Sequence, residues 1–361
     1  MNLKTLTYNQ SEIRFGNLTE NGFDALLSSP RYAQSKKIII TDENVYDLWM
    51  EGFISSFEAL HEAEIIQLPP GEENKVLDIC QHVWSALSEY EIGRNDLIIN
   101  FGGGVITDLG GFIAATFKRG LSFINVPTTL LSQVDASVGG KTGIDLGPYK
   151  NQIGVFADAD YVFIDARYLT TLPPIELESG YAEILKHGLI ADAKYWKELK
   201  SIDLSSNPET WLDSIYHSVA IKQKIVTEDH LEKSNRKNLN FGHTIGHAIE
   251  GYYLENDAVI PHGYAVAWGM LAESFISLKL ELLNQNEFEE INDTIRNRYP
   301  KLEVETAAIA EIKPLLLNDK KNVNGEISFT LLNKIGSAIY NQKVNDALIS
   351  EAFEFILNPE A

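Results

Sequence analysis

Short apolar runs alternate with amphipathic stretches through the first half of the chain. Lys36–Ile40 reads K-K-I-I-I and stops at Thr41–Asp42, and Ala63–Leu68 stops at Pro69–Pro70–Gly71. Asn95–Phe101 runs into Gly102–Gly103–Gly104, Leu121–Val126 into Pro127, and Tyr161–Ile164 into Asp165. Each run reads as a buried strand, and stretches such as Asn74–Glu91 between them read as helices. Buried strands that alternate with helices predict a largely parallel α/β sheet.

Past Pro173–Pro174 the strand runs nearly stop. Glu176–Ile190, Pro208–Glu228, Gly242–Tyr253, Gly263–Leu283, Glu287–Tyr299 and Asn345–Leu357 carry helical periodicity. Only Ile327–Leu332 and Ala338–Tyr340 look extended, and there is no internal repeat or low-complexity linker. The pattern predicts an α/β domain over residues 1–170, a mainly helical domain over 171–361, and a cleft between them.

Composition narrows the partners. A chain of 361 residues is long enough for two hydrophobic cores. Its 51 acidic residues against 30 Lys and Arg give a formal net charge of −21, which repels nucleic acid and anionic membrane surfaces. With a single cysteine, Cys80, neither an intramolecular disulfide nor a Cys-based metal site can form. The first residues lack the apolar run of a signal peptide, and no segment approaches the ~20 apolar residues that span a bilayer. The expectation is a protein of the reducing cytoplasm.

Four stretches carry candidate chemistry. Phe101–Gly111, F-G-G-G-V-I-T-D-L-G-G, follows a strand and opens a helix. Glycines there let backbone approach a pyrophosphate at a helix N-terminus, although Thr107 stands where the dinucleotide fingerprint has its last glycine. Asp42 and Asn44, at the end of the first clear strand, suit a ribose or, in the case of Asp42, a helix N-cap. Asp135–Asn151 reads as a glycine-rich loop presenting Lys141, Lys150 and Asn151 to an anionic or polyhydroxylated ligand. In the helical stretch Tyr181–Gly188, Glu183 and Lys186 lie one turn apart, normally an exposed ion pair. Their neighbours Ala182, Ile184, Leu185 and Leu189 are apolar, however, and a buried carboxylate needs a cation or a metal.

The last stretch is Arg236–Glu250, R-K-N-L-N-F-G-H-T-I-G-H-A-I-E. His243 and His247 are four apart on a helix and share a face, with Arg236 and Asn240 just upstream. His262 follows Pro261 at the start of another helix. Two imidazoles and Glu183 would make a catalytic zinc set with one open coordination position. Spacing alone leaves open whether His262 or His247 joins His243.

In combination these motifs resemble the 3-dehydroquinate synthases of the sugar phosphate cyclase family. The resemblance runs from Thr41 to about Gly336 and includes G-G-G-V-I-T-D-L-G-G-F, P-T-T-L-L, D-A-S-V-G-G-K-T-G, Y-A-E-I-L-K-H-G and N-F-G-H-T-I-G-H-A. It implies zinc, or another divalent cation, on Glu183, His243 and His262, with His247 a substrate-site histidine that shuttles protons. It places NAD contacts on Asp42, Asn44, Glu72, Lys75, Gly104, Val105, Ile106, Thr107, Asp108, Thr128, Thr129 and Thr171. Substrate contacts fall on Asp135, Lys141, Lys150, Asn151, Lys186, Lys222, Arg236 and Asn240, and Lys141 and Lys150 border the nucleotide as well. Arg119 matches an arginine that reaches the substrate phosphate across a homodimer interface, and a C-terminal lysine matches Lys320 or Lys321. The implied substrate is 3-deoxy-D-arabino-heptulosonate 7-phosphate, processed by NAD-dependent oxidation, phosphate elimination, re-reduction and aldol closure. A sibling cyclase and a metal-dependent polyol or glycerol-phosphate dehydrogenase are the alternatives. The chain departs from the family pattern at Tyr149, Tyr264 and Ser234, and the two tyrosines are placed to narrow the site.

Overall fold

The computed structural model describes residues 4–147, 149–318 and 327–358. They fall into two compact units, one of Met1–Pro173 with Ser206–Thr227, the other of Pro174–Ser205 with Glu228–Ala361.

The first unit is built on strands β1 (Lys4–Tyr8), β2 (Ser11–Phe15), β3 (Lys37–Asp42), β4 (Glu64–Leu68), β5 (Leu97–Gly102), β6 (Ser122–Pro127), β7 (Lys141–Leu146), β8 (Tyr149–Phe156) and β9 (Tyr161–Ile164). Seven of them form a sheet in the order β1-β2-β9-β6-β5-β3-β4. β1 is antiparallel to β2, and the other neighbours are parallel. The central parallel strands carry consecutive apolar residues, and every residue of β5 is buried, as expected for a parallel strand covered on both faces. Phe101 stacks on Phe53 at 4.2 Å, and Phe23 meets Phe53, Phe57 and Phe163 in the same core.

Three features differ from the sequence reading. β1 and β2 were not predicted: β1 is an exposed edge with no apolar run, and β2 has only Ile13 and Phe15 as apolar positions. The stretch read as a glycine-rich loop contains the β7–β8 antiparallel hairpin. Its glycines serve close pairing, since a Cβ at Gly143 would stand 2.7 Å from the Ile153 carbonyl. Finally, a single cut near residue 170 does not describe the packing. The helix Leu212–Glu228 lies with the first unit, where Lys222 bonds to Asp135, Gln223 to the Thr7 carbonyl at 2.6 Å, and Tyr216 meets Phe15 edge-on.

The second unit is helical around His262–Lys279, in which every residue from Gly263 to Ser274 is buried. A helix apolar on all sides belongs at the centre of a bundle. Packed on it are Pro174–Ala191, His243–Glu255, Gln285–Arg298, Asp346–Leu357 and the hairpin of β10 (Phe329–Lys334) and β11 (Ser337–Gln342). Among the described residues no helix is long and apolar enough to cross a membrane.

Two contacts tie the central helix to its neighbours. The Gly263 N–H donates to Ser179 Oγ at 3.0 Å, and a Cβ at Gly263 would stand 2.6 Å from Ser179 Cα, so the helices meet backbone to backbone. Glu273, wholly buried, accepts the Gly242 N–H at 2.6 Å and the Ile245 N–H at 3.3 Å. It thereby caps the start of His243–Glu255, where leading N–H groups have no intrahelical partner and the dipole favours an anion. Glu273→Ala leaves both donors buried without that acceptor, so a loss of about 1–3 kcal/mol is expected. Glu273→Gln keeps one acceptor and should lose less; denaturant unfolding of the two variants measures the difference.

Candidate active site

In the first unit the glycine turn follows β5, and Thr128 and Thr129 follow β6. The chain turns through Gly102–Gly103 into the helix Gly104–Thr116, which starts without a side-chain cap. Its leading N–H groups at Gly104, Val105 and Ile106 are therefore available to an anion. Thr128 donates its N–H to the Gly102 carbonyl at 3.0 Å, and a Cβ on Gly103 would stand 2.9 Å from Thr129 Cγ2. Both threonines therefore line this turn. Thr107 Oγ1 lies 3.2 Å from Ser132 Oγ one turn further on.

Lys75 is nearly inaccessible. Its ammonium donates to Asp108 Oδ2 at 2.7 Å and Asn151 Oδ1 at 2.6 Å, with Glu72 at 3.6 Å. Burial opposes the charge, but Asp108 and Glu72 outweigh it and hold the group above the usual lysine range. Asn151 sits in the left-handed region at φ 52 and donates its N–H to Asp145 Oδ1 at 2.6 Å. Asp145 in turn donates its own N–H to the Lys75 carbonyl at 2.8 Å, and burial pushes its carboxyl up. Glu72, Lys75, Asp108 and Asn151 thus form one network.

Asp135 is held by Lys222, whose ammonium donates to Oδ1 at 2.5 Å and to the carbonyl at 2.7 Å. Asp42 caps a short helix by accepting the Val45 N–H at 3.0 Å, and burial raises its carboxyl; Asn44 is exposed beside it. Thr171 accepts the Trp49 indole N–H at 3.0 Å. Lys141 is exposed on β7 and Lys150 half-buried on β8.

Arg119 stands apart. It lies in an exposed turn in which Lys118, Arg119 and Gly120 all have positive φ, at 48, 70 and 112. Two successive side-chain-bearing residues in that region store strain. Among the described residues its guanidinium makes no hydrogen bond or ion pair.

In the second unit Glu183 is wholly buried at the middle of its helix, ion-paired to an equally buried Lys186. The pair is therefore not the exposed kind that its spacing ordinarily gives. His243 Nε2 lies 3.4 Å and His262 Nε2 3.8 Å from Glu183 Oε1. One ligand atom from each of the three residues lies within 4.8 Å of the others. Neither Glu183 oxygen accepts a hydrogen bond of normal geometry. A carboxylate so buried, facing two ring nitrogens, fits a divalent cation, which supplies the charge that hydrogen bonds do not. The Nδ1 of His243 lies 3.2 Å from the Phe241 carbonyl, so the tautomer that donates there leaves Nε2 with a lone pair for the metal.

His247 is exposed on the same helix face, its ring 5.2 Å from that of His243 and 6.0 Å from that of His262. Arg236, nearly inaccessible, donates to the His230 carbonyl at 2.6 Å, and Asn240 donates to Glu232 Oε1 at 2.7 Å. The loop that carries them is organised by Asp229, which accepts the N–H groups of Lys233, Ser234 and Arg236. Burial opposes that carboxylate's charge, but the three N–H groups prevail and hold it below the usual range. Tyr264 turns its hydroxyl to Glu178 at 2.5 Å and packs edge-on against Tyr299. The side chain of Tyr149 and both Lys320 and Lys321 lie outside the described residues.

Residues 65–179 match the sequence model described as 3-dehydroquinate synthase N-terminal, and residues 180–322 the one described as 3-dehydroquinate synthase C-terminal. A 3-dehydroquinate synthase of Parabacteroides distasonis is 40% identical over 330 residues, covering 91% of this chain and 93% of its own. The chain belongs to the 3-dehydroquinate synthase family. Related cyclases share the fold. The 2-epi-5-epi-valiolone synthase of Streptomyces hygroscopicus subsp. jinggangensis, solved with NAD+ and Zn2+, superposes with a TM-score of 0.86 at 24% identity over 100% of this chain and 99% of that one. A 2-deoxy-scyllo-inosose synthase complexed with carbaglucose-6-phosphate, NAD+ and Co2+ gives 0.82 at 25% identity over 97% of this chain and 99% of that one.

Within this family member, four acidic residues that support the candidate groups escaped the sequence reading: Asp145, Asp229, Glu232 and Glu273. Each acts through a bond to backbone or amide that no spacing rule reports. Asp145 lies inside a quoted stretch and Asp229 and Glu232 shortly before one, whereas Glu273 gave no such signal. The ligand geometry makes a test possible. His243→Ala should strip the metal from the protein and abolish activity, whereas His247→Ala should keep about one metal per chain. The second variant should lose activity by about 10²–10⁴-fold, as expected for a displaced proton carrier. Metal analysis and initial rates on the two folded proteins separate these outcomes from a shared fall in stability.

Proposed function

We propose that the chain catalyses the 3-dehydroquinate synthase reaction, converting 3-deoxy-D-arabino-heptulosonate 7-phosphate to 3-dehydroquinate and phosphate. The observation that carries the reading is the buried Glu183 with two imidazole Nε2 atoms turned toward it and a buried lysine beside it. A family member with those groups in place has kept its chemistry. The first unit would hold NAD, with the Gly104–Asp108 turn, Thr128 and Thr129 available to its anionic part. The second holds a divalent cation on Glu183, His243 and His262.

When bound, NAD+ takes up and returns a hydride, and the cation acts as a Lewis acid on the reacting hydroxyl. The chain's own groups do the rest. Lys186 adds positive charge beside Glu183. Lys150, Lys222 and Arg236 neutralise the phosphate and carboxylate of the substrate. Asn240 and Asn151 offer amides to ring hydroxyls, with Glu232 and Asp145 fixing their placement. Asp135 accepts from substrate hydroxyls while Lys222 holds it, and Lys141 meets substrate and nucleotide. His247, exposed on the face it shares with His243, carries protons, since imidazole titrates near working pH. The protein works in the cytoplasm as a homodimer, and Arg119 reaches the phosphate bound by the partner subunit. A strained turn that projects a guanidinium without a partner of its own supports that role.

Two outcomes follow. The hydride removed at the start is returned, so phosphate and product should accumulate without net NADH; stoichiometric growth of NADH absorbance would instead indicate a dehydrogenase. Arg119→Ala should be inactive alone and regain activity when mixed with the inactive His247→Ala protein. Hybrid dimers contain one complete site, and assays on mixed dimers verified by tagged co-purification read it out.

A further inference from the structure

The helical face that carries His243 and His247 continues one turn further to Glu250, which the reaction just described leaves without a role. Positions 243, 247 and 250 are spaced i, i+4 and i+7, so all three lie on one side of the helix. Glu250 is buried, and its Oε2 lies 3.3 Å from Nδ1 of His262. The opposite ring nitrogen, Nε2, is the one turned toward Glu183 at 3.8 Å. His262 therefore stands between two buried carboxylates, one at each nitrogen.

That arrangement creates a competition. A neutral imidazole has one N–H and one lone pair. With the proton on Nε2, the ring donates toward Glu183 and has nothing to offer a metal there. With the proton on Nδ1, it donates to Glu250 and leaves Nε2 free to ligate. We propose that Glu250 is a positioning residue that selects the Nδ1–H tautomer of His262 and aims Nε2 at the cation. The inference rests on Glu183, His243 and His262 being the ligands. His243 obtains the same tautomer from the Phe241 carbonyl, so each ligand ring has its own anchor. A carboxylate anchor does more than a carbonyl, because its hydrogen bond to the ring N–H is charge-assisted.

Glu250 also belongs to a second group of potential ligands, with His247 and His262. In that group it would bind the cation directly. Burial argues for the anchor role: Glu183 is wholly enclosed and in need of a cation, whereas His247 is exposed.

The test is Zn2+ affinity, measured by titrating the chelator-stripped protein against a chromophoric competitor. Glu250→Ala should still bind about one Zn2+ per chain, with affinity lowered about 10–100-fold, and Glu250→Gln, which keeps the shape but loses the charge, by about tenfold. In ¹⁵N-histidine spectra of the metal-free protein, the His262 proton should move from Nδ1 toward Nε2 in Glu250→Ala. Affinity within about twofold of the parent in Glu250→Gln, or an unchanged tautomer, overturns the proposal. So does loss of Zn2+ binding in Glu250→Ala, which would make Glu250 a ligand. Should Glu250→Ala not fold, Glu250→Gln carries the test alone. Failure of the underlying ligand set is seen separately, as a parent protein that binds no Zn2+ or a His243→Ala variant that keeps it.

Discussion

Glu183 is a carboxylate with no route to water. Removing such a group from solvent is strongly unfavourable unless positive charge accompanies it. Lys186, one turn away and equally buried, supplies part of that charge. The Nε2 atoms of His243 and His262 turn toward the same carboxylate from two other helices. Much of the second unit can be understood as the packing needed to keep these three helices in place around that group.

The packing is achieved where side chains are absent or unusual. Gly263 lets the central helix reach the backbone of the Glu183 helix, and Ser179 fixes the register by accepting its N–H. Gly242, at φ 81, turns the chain into the His243 helix, and Glu273 receives the N–H groups that this turn exposes. A second buried carboxylate, Glu273, thus accepts two backbone donors.

The first unit solves a different problem with similar means. Parallel strands deliver their carboxyl ends side by side, so the Gly102–Gly104 turn and the Thr128–Thr129 turn become neighbours without further design. Lys75 then draws Glu72, Asp108 and Asn151 into one network, and the β7–β8 hairpin is held to it through Asp145. A cation shared among these groups orders three separate segments at once.

Periodicity along the chain was enough to read five of the parallel strands (β3, β4, β5, β6 and β9), the long helices and the glycine turn, because each is set by neighbours within a few positions. The residue types at Glu183, His243 and His262 were equally legible as a possible donor set. Spacing by itself left His247 and His262 as equal candidates beside His243, since spacing on one helix says nothing about a residue on another, and it was the motif resemblance that implied His262. Tertiary structure distinguishes them: Nε2 of His262 faces Glu183, while His247 stays exposed on the helix face it shares with His243. Tertiary structure also turned a surface-type spacing at Glu183 and Lys186 into a buried pair, and a glycine-rich stretch into a hairpin. It alone placed Asp145, Asp229, Glu250 and Glu273 against their partners. The reason is physical: local propensity acts along the chain, whereas burial and hydrogen bonding to a distant backbone exist only once the helices and strands have packed.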